Sequence, residues 1–178
     1  MNTFMPLGLD VEERMLGAHN ERSAWFSWAA PAERRGELEP VMNNLGLTAP
    51  AVMLRSGMCR TEVITPTWID AYTRPFESPS ECAAACAFPR SIVNGTIEFE
   101  TPEKRVVAML RDKPAMMIYG MKDRALLAEY MVSIFEAGFP RAPIHRLSDA
   151  GHFLQEDAAE VIAHLVKAFM RSADASAR

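Results

Sequence analysis

The chain has 178 residues, of which 49% are hydrophobic and 24% are charged, and its net charge is −4. This composition is typical of one globular domain, and it offers no basic surface for a nucleic-acid backbone or an anionic membrane. Because no apolar run approaches the ~20 residues of a membrane helix and residues 1–10 contain no secretory signal, we expect a cytoplasmic protein. The sequence leaves the oligomeric state open.

The three cysteines do not form a metal-binding pattern. Cys82 and Cys86 lie four residues apart, and Cys59 is remote from both. A structural zinc site needs four ligands, and no second pair completes this one. We therefore expect reduced thiols and no bound metal ion.

Residues 10–113 are predicted to be helical but irregular, because prolines interrupt the pattern throughout. The predicted helices lie at about residues 11–29, 37–45, 50–56, 66–72, 78–87 and 102–112. A group of short helices before the last strands of an α/β sheet is a common arrangement for a lid over an active site. We therefore expect this region to cover a pocket.

Residues 114–120 are a short apolar run closed by glycine and are predicted to be a buried strand, and residues 142–147 are a second short strand candidate. Apolar residues three and four apart predict a helix between them that ends at Gly138, and a last helix with Asp157 as its N-cap. This alternation predicts a parallel sheet covered by helices. Two parallel strands are too few for a stable sheet, which indicates that further strands belong to it.

Each predicted strand is followed by a loop with one titratable side chain. Asp123 follows the first strand and His152 the second, and the carboxyl ends of parallel strands lie at the same edge of a sheet. An Asp at hydrogen-bond distance fixes the imidazole tautomer, as in a nucleophile–His–acid triad. Gly151 is expected to allow a tight turn or an unusual backbone angle. The other histidines fall in predicted helices or strands and are interpreted as structural: His19, His145 and His164.

These two loops resemble the C-terminal segment of α/β-hydrolases. In that superfamily the acid follows a Gly-x-x-Asp turn, matched by residues 120–123, and the base lies in a Gly-His-Phe sequence, matched by residues 151–153. The helical region resembles haloalkane dehalogenases more narrowly, through three matches: Ile64-Thr65-Pro66, Ala71-Tyr72-Thr73-Arg74-Pro75-Phe76 and Phe88-Pro89. Met1-Asn2-Thr3 resembles the end of that family's sixth strand, so the resemblance covers nearly the whole chain.

The resemblance implies a truncated α/β-hydrolase fold, in which a helical lid precedes the last two βα units of a parallel sheet. The implied domains are the end of a core strand and a linker at residues 1–9, the lid and its return to the core at 10–113, the C-terminal part of the core at 114–171, and a flexible tail at 172–178.

The resemblance also implies a reaction. In haloalkane dehalogenases an aspartate displaces halide from an alkyl halide, and the resulting ester is hydrolysed by water that a histidine deprotonates, without metal or cofactor. His152 matches that base and Asp123 its supporting acid. In some subfamilies the acid follows the sixth strand instead, but that place holds Asn2 here.

The halide site is implied in the same way. Trp25, in an Ala-Trp context, matches the lid tryptophan whose indole N–H donates to the halide, with Trp28 as the alternative. Pro89 is expected to line the halide pocket, with Phe88 packed beside it. Trp68 is interpreted as part of the lid core.

The chain departs from the family because it contains neither an Asp-Trp pair nor a Gly-x-Ser-x-Gly turn. The nucleophile is therefore absent, and we expect the chain to be inactive by itself. An epoxide hydrolase needs two lid tyrosines, whereas only Tyr72 lies in the predicted lid; an esterase remains an alternative because the absent nucleophile could be a serine. A further alternative is a non-catalytic remnant that binds a partner through exposed apolar sheet edges.

Overall fold

The computed structural model describes residues 2–3, 7–94, 96 and 104–176. Within these ranges the chain forms ten α-helices and two short β-strands. The elements are α1 (Asp10–Arg22), α2 (Phe26–Arg34), α3 (Leu38–Met42), α4 (Leu45–Ser56), α5 (Pro66–Thr73), α6 (Ala83–Val93), α7 (Lys104–Arg111), β1 (Met117–Gly120), α8 (Ala128–Gly138), β2 (Ile144–Leu147), α9 (Leu154–Asp157) and α10 (Ala159–Ser176). Single 3₁₀ turns lie at Thr61–Val63 and Arg74–Phe76.

The two strands pair in parallel, with Met117 opposite Ile144 and Gly120 opposite Leu147. Helix α8 connects them and buries its apolar face against β1, around the fully buried Met131 and Ile134. The protein is thus rich in helix with a small parallel sheet, an arrangement compatible with part of an α/β fold. Among the described residues, 2–3 form no strand, and residues 1 and 4–6 of the predicted core strand and linker lie outside them.

Helices α1 to α6 form a layer that we call the helical region. Its core is made by small and apolar side chains of α2, α3, α4 and α6, including the fully buried Ala29, Ala32 and Leu38. Helix α1 instead packs against α8, where Met15 and Leu16 contact the core beside the sheet. The helical region therefore has its own core and is also joined to the sheet.

Prolines interrupt the helical region less than the sequence pattern predicted. Pro31, Pro50 and Pro89 lie inside α2, α4 and α6. A proline in a helix interior removes one backbone hydrogen bond and costs about 3 kcal/mol. Burial of neighbouring residues of the same helices, such as Ala29 and Met53, offsets this cost through packing.

The helix predicted over residues 11–29 is divided by Ser23. This buried residue is extended, with φ −63° and ψ 129°, and its Oγ accepts a hydrogen bond from the Phe26 N–H at 3.3 Å. The same hydroxyl donates to the Ala125 carbonyl at 2.7 Å. Side-chain bonds of this kind end one helix and begin the next, which apolar spacing alone does not reveal.

The prediction that Asp157 is the N-cap of the last helix is wrong. Asp157 ends the four-residue helix α9, and α10 begins at Ala159. Between them Ala158 leaves the helical conformation, with φ −148° and ψ 40°. Helix α10 then continues to Ser176, through most of the predicted tail, and residues 177–178 lie outside the described part.

Helix α10 presents part of its apolar stripe to solvent. Val161, Val166 and Met170 are 49%, 42% and 53% exposed, whereas Ile162 and Leu165 are half-buried. In the described part of the chain, none of the helices has the length and apolar character needed to span a bilayer.

Candidate functional site

The two loops that follow β1 and β2 are joined directly by backbone hydrogen bonds. Met121 N–H donates to the Leu147 carbonyl and Lys122 N–H to the Ala150 carbonyl, both at 2.9 Å. Gly120 is needed at this contact because a Cβ there would lie 2.8 Å from the Ala150 oxygen. This close approach brings the Asp123 and His152 turns together at one edge of the sheet.

Asp123 and His152 are hydrogen-bonded, with 2.9 Å between Nδ1 of the imidazole and Oδ2 of the carboxylate. The Asp123 side chain is completely buried, and that of His152 is 12% exposed. Because a carboxylate accepts hydrogen bonds, the geometry places the imidazole proton on Nδ1. In the neutral ring, Nε2 is then the nitrogen with a free lone pair for accepting a proton.

Four donors from the described part of the chain bind the Asp123 carboxylate. Oδ1 accepts the backbone N–H groups of Ala125 and Leu126, each at 2.7 Å. Oδ2 accepts the Asn2 amide at 2.8 Å in addition to the His152 ring. This set gives both carboxylate oxygens partners inside the protein, where a buried polar atom without a hydrogen bond would be costly.

Asn2 is a site residue whose contacts the sequence did not reveal. Its Nδ2 donates to Asp123, its Oδ1 accepts the Gly120 N–H at 3.2 Å, and its backbone N–H donates to the His152 carbonyl at 2.7 Å. The residue thus contacts both loops. The only sequence signal was the resemblance of Met1-Asn2-Thr3 to the end of the family's sixth strand. Some subfamilies have a carboxylate there, whereas Asn2 has an amide.

The backbone of Gly151 contacts the backbone of Gly57, the residue that follows α4. A Cβ on Gly151 would overlap the Gly57 carbonyl oxygen and lie 2.6 Å from its carbonyl carbon. Gly151 does not have a positive φ, whereas Gly57 does, at 109°. Space, rather than the expected unusual backbone angle, therefore explains glycine before His152.

Asp157 fixes this contact through three backbone N–H groups. Its Oδ2 accepts the Gly151 N–H at 2.7 Å, and its Oδ1 accepts those of Cys59 at 2.8 Å and Arg60 at 2.7 Å. The carboxylate therefore joins the residue before His152 to the segment that follows α4. This role replaces the predicted cap of α10.

The neighbouring Glu156 joins the same short helix to α5. One carboxylate oxygen accepts the Trp68 indole N–H at 2.9 Å, and the other accepts the Tyr72 hydroxyl. The two rings are 4.5 Å apart. Partial burial and the carboxylate raise the pKa of Tyr72 from 10.0 to about 12. Trp68 is therefore not the lid-core residue that the sequence suggested.

The turn that holds Asp123 is also bound from the helical region. Ala24 N–H donates to the Arg124 carbonyl at 2.9 Å, and the ring of the buried His19 donates from Nε2 to the Ala125 carbonyl at 2.9 Å. Arg124 N–H donates to the Ser56 carbonyl at 3.1 Å. The predicted structural role of His19 thus includes support for the turn that holds Asp123.

The predicted halide-site residues lie in the helical region and are not joined to the pair by hydrogen bonds. Trp25 is half-buried at the start of α2, packs against the core of the helical region, and stands 5.2 Å from the Trp28 ring. Pro89 is buried inside α6. The expectation that Phe88 packs beside it is wrong, because Phe88 is 64% exposed on the outer face of that helix.

A cavity of about 260 Å³ lies beside β1. Its lining includes Asn2, Thr3 and Tyr119 together with apolar side chains of α8, and it does not include His152. Among the residues described, no three His, Cys, Asp or Glu side chains are grouped as metal ligands.

The curated proteins with partial similarity to this chain share the name haloalkane dehalogenase 2. Haloalkane dehalogenase 2 of Mycobacterium bovis and of two strains of Mycobacterium tuberculosis are each 40% identical to it over 60 residues. The match covers 34% of this chain and 21% of each relative, so it spans about a fifth of their length. No protein-family model matches. The similarity suggests a relation to the hydrolase family over this segment.

Proposed function

We propose that this chain is the lid and C-terminal part of a haloalkane dehalogenase, with His152 as the base and Asp123 as its supporting acid. The observation that carries the proposal is the 2.9 Å bond between His152 Nδ1 and the buried Asp123 carboxylate. It leaves Nε2 to take a proton from water. The partial similarity to two mycobacterial species' haloalkane dehalogenase 2 favours alkyl halides as substrates.

In the proposed reaction, an aspartate outside these 178 residues displaces halide and forms an alkyl ester. Water attacks the ester carbonyl while His152 Nε2 accepts its proton, and the alcohol leaves as the ester C–O bond breaks. Asp123 stabilises the imidazolium that forms. We assign halide binding to Trp25, with Pro89 in the pocket wall, on the resemblance described above.

The lid tyrosine argues against epoxide hydrolysis. An epoxide oxygen needs a donated proton, and the Tyr72 hydroxyl already donates to Glu156. Its pKa of about 12 also makes the phenol a poor acid. The contacts of Tyr72 are therefore those of a structural residue.

The first test uses nitrogen-15 NMR of the His152 ring, which reports which nitrogen carries the proton. In Asp123→Asn the single amide oxygen accepts the hydrogen bonds from the Ala125 and Leu126 N–H groups. The amide NH₂ then faces Nδ1 and forces the proton onto Nε2. We expect this tautomer change in Asp123→Asn and none in Asp149→Asn, whose exposed side chain contacts Lys122. Retention of the Nδ1–H tautomer in Asp123→Asn would contradict the proposal.

The second test measures halide release from a short bromoalkane. The protein is a fusion in which the N-terminal part of mycobacterial haloalkane dehalogenase 2 precedes this chain. Loss of a general base lowers turnover by about 10²-fold or more, so His152→Ala should be nearly inactive. His164→Ala, which alters an exposed residue of α10, is the matched control. Equal halide release by both variants would refute His152 as the base.

A further inference from the structure

Glu156 and Asp157 are adjacent acidic residues with different hydrogen-bond partners. Glu156 binds the side chains of Trp68 and Tyr72 on α5. Asp157 binds backbone N–H groups on two segments, one of them the residue before His152. Their different partners allow their effects on His152 to be separated.

We propose that Asp157 is a positioning residue for His152, an inference that rests on the proposed function of that histidine. One oxygen of its carboxylate accepts the Gly151 N–H, and the other accepts the Cys59 and Arg60 N–H groups. The orientation of the imidazole toward Asp123 therefore depends on the backbone that follows α4.

The burial and packing of this junction support the role. Gly151 is buried, and its backbone lies too close to Gly57 for any side chain to fit between them. The Gly151 N–H has its acceptor in Asp157 rather than in a neighbouring strand. Because His152 follows immediately, a displacement of Gly151 changes the direction from which the ring approaches Asp123.

The bonds formed by Asp157 are of the strong kind, because the acceptor is charged and the donors are backbone groups. Asparagine has nearly the same shape but only one oxygen. In Asp157→Asn an NH₂ group must face the N–H of Gly151 or those of Cys59 and Arg60, and one side of the junction loses its acceptor.

The experiment compares Asp157→Asn with the matched variant Glu156→Gln in the full chain. Amide hydrogen exchange is measured at Gly151, and nitrogen-15 NMR gives the protonated ring nitrogen of His152. In Asp157→Asn we expect exchange at Gly151 to accelerate about 10- to 100-fold, the range set by a hydrogen bond to a charged group. The Nδ1–H tautomer of His152 should fall at the same time. Glu156→Gln should leave both unchanged.

A purely structural Asp157 would give a different result. Exchange at Gly151 would accelerate while the His152 tautomer stayed the same, and that outcome overturns the proposal, as does the absence of any change. If Asp157→Asn does not fold, Asp157→Glu keeps the charge with one more methylene. In Asp157→Glu, the amide exchange rate at Gly151 and the tautomer of His152 must then change together. A change in either one alone overturns the proposal. A missing tautomer change in Asp123→Asn would instead refute the proposed function.

Discussion

Substitution of Gly151 by alanine tests the backbone contact on which the His152 loop depends. The new Cβ would lie 2.6 Å from the Gly57 carbonyl carbon and closer still to its oxygen, whereas real Cβ contacts essentially never fall under 3.0 Å. The contact with the oxygen sets the required shift, so the two backbones must separate by well over ~1 Å, and neither belongs to a flexible side chain that could move aside. That shift also stretches the bonds from Cys59 and Arg60 to Asp157.

The expected loss of stability follows from these two effects. Overpacking of a tight site costs about 1–3 kcal/mol, and loss of a hydrogen bond to a charged group costs about 1.5–3 kcal/mol, so Gly151→Ala should destabilise by about 2.5–6 kcal/mol. Gly17→Ala is the control, because it lies within α1 with nothing within 4 Å of its Cβ. Helix propensity predicts that this control stabilises by about 0.5–1 kcal/mol.

Urea unfolding monitored by tryptophan fluorescence measures the stability of Gly151→Ala and of Gly17→Ala. Each change appears as a shift of the urea midpoint, while the dependence of the unfolding free energy on urea stays the same. A Gly151→Ala variant within about 1 kcal/mol of the parent chain would show that the two backbones are not this close. That conclusion also requires that the control, Gly17→Ala, is stabilised as predicted.

Three further predictions concern the same region. Burial and the bond to Glu156 raise the pKa of Tyr72 from 10.0 to about 12 on folding, so the neutral phenol contributes stability below pH 10 that is lost as the pH rises to 12. A Tyr72→Phe variant should lose less stability over that interval in alkaline unfolding. Gly57→Ala should destabilise by at least about 1–2 kcal/mol in the same urea assay, since a Cβ is strained at φ 109° and would lie 2.8 Å from the Lys122 carbonyl oxygen. Asp149→Asn should leave the urea midpoint unchanged, because its ion pair with Lys122 is exposed; a clear shift would contradict this.

The elements beside the site could be predicted from local sequence. The strands over Met117–Gly120 and Ile144–Leu147 lie inside the two predicted strand segments, and their pairing is parallel as the alternation of elements indicated. A continuous apolar run such as residues 114–120 is a local feature of the sequence, so it predicts the buried strand β1. The functional roles of Asp123 and His152 remain predictions, although the structure places their side chains within hydrogen-bond distance.

The contacts that support the pair could not be predicted in this way. Asn2 lies 121 positions from Asp123, and Asp157 lies 98 positions from Cys59. Periodicity reports which face of an element is apolar, but it does not report which distant backbone groups a polar side chain will reach. Asp157 illustrates the problem, because an acidic residue at the start of an apolar-periodic stretch also fits a helix cap.

The hydrogen bonds from Ala24 and His19 to the Asp123 turn have a practical consequence for enzyme engineering. Helices over an active site are often treated as an exchangeable part that sets substrate preference while the chemistry stays with the sheet. In this chain, helix α1 and the turn that follows it supply donors to the carbonyls beside Asp123. A chimaera that swaps residues 10–93 would need to carry residues 122–126 with them, or redesign both together.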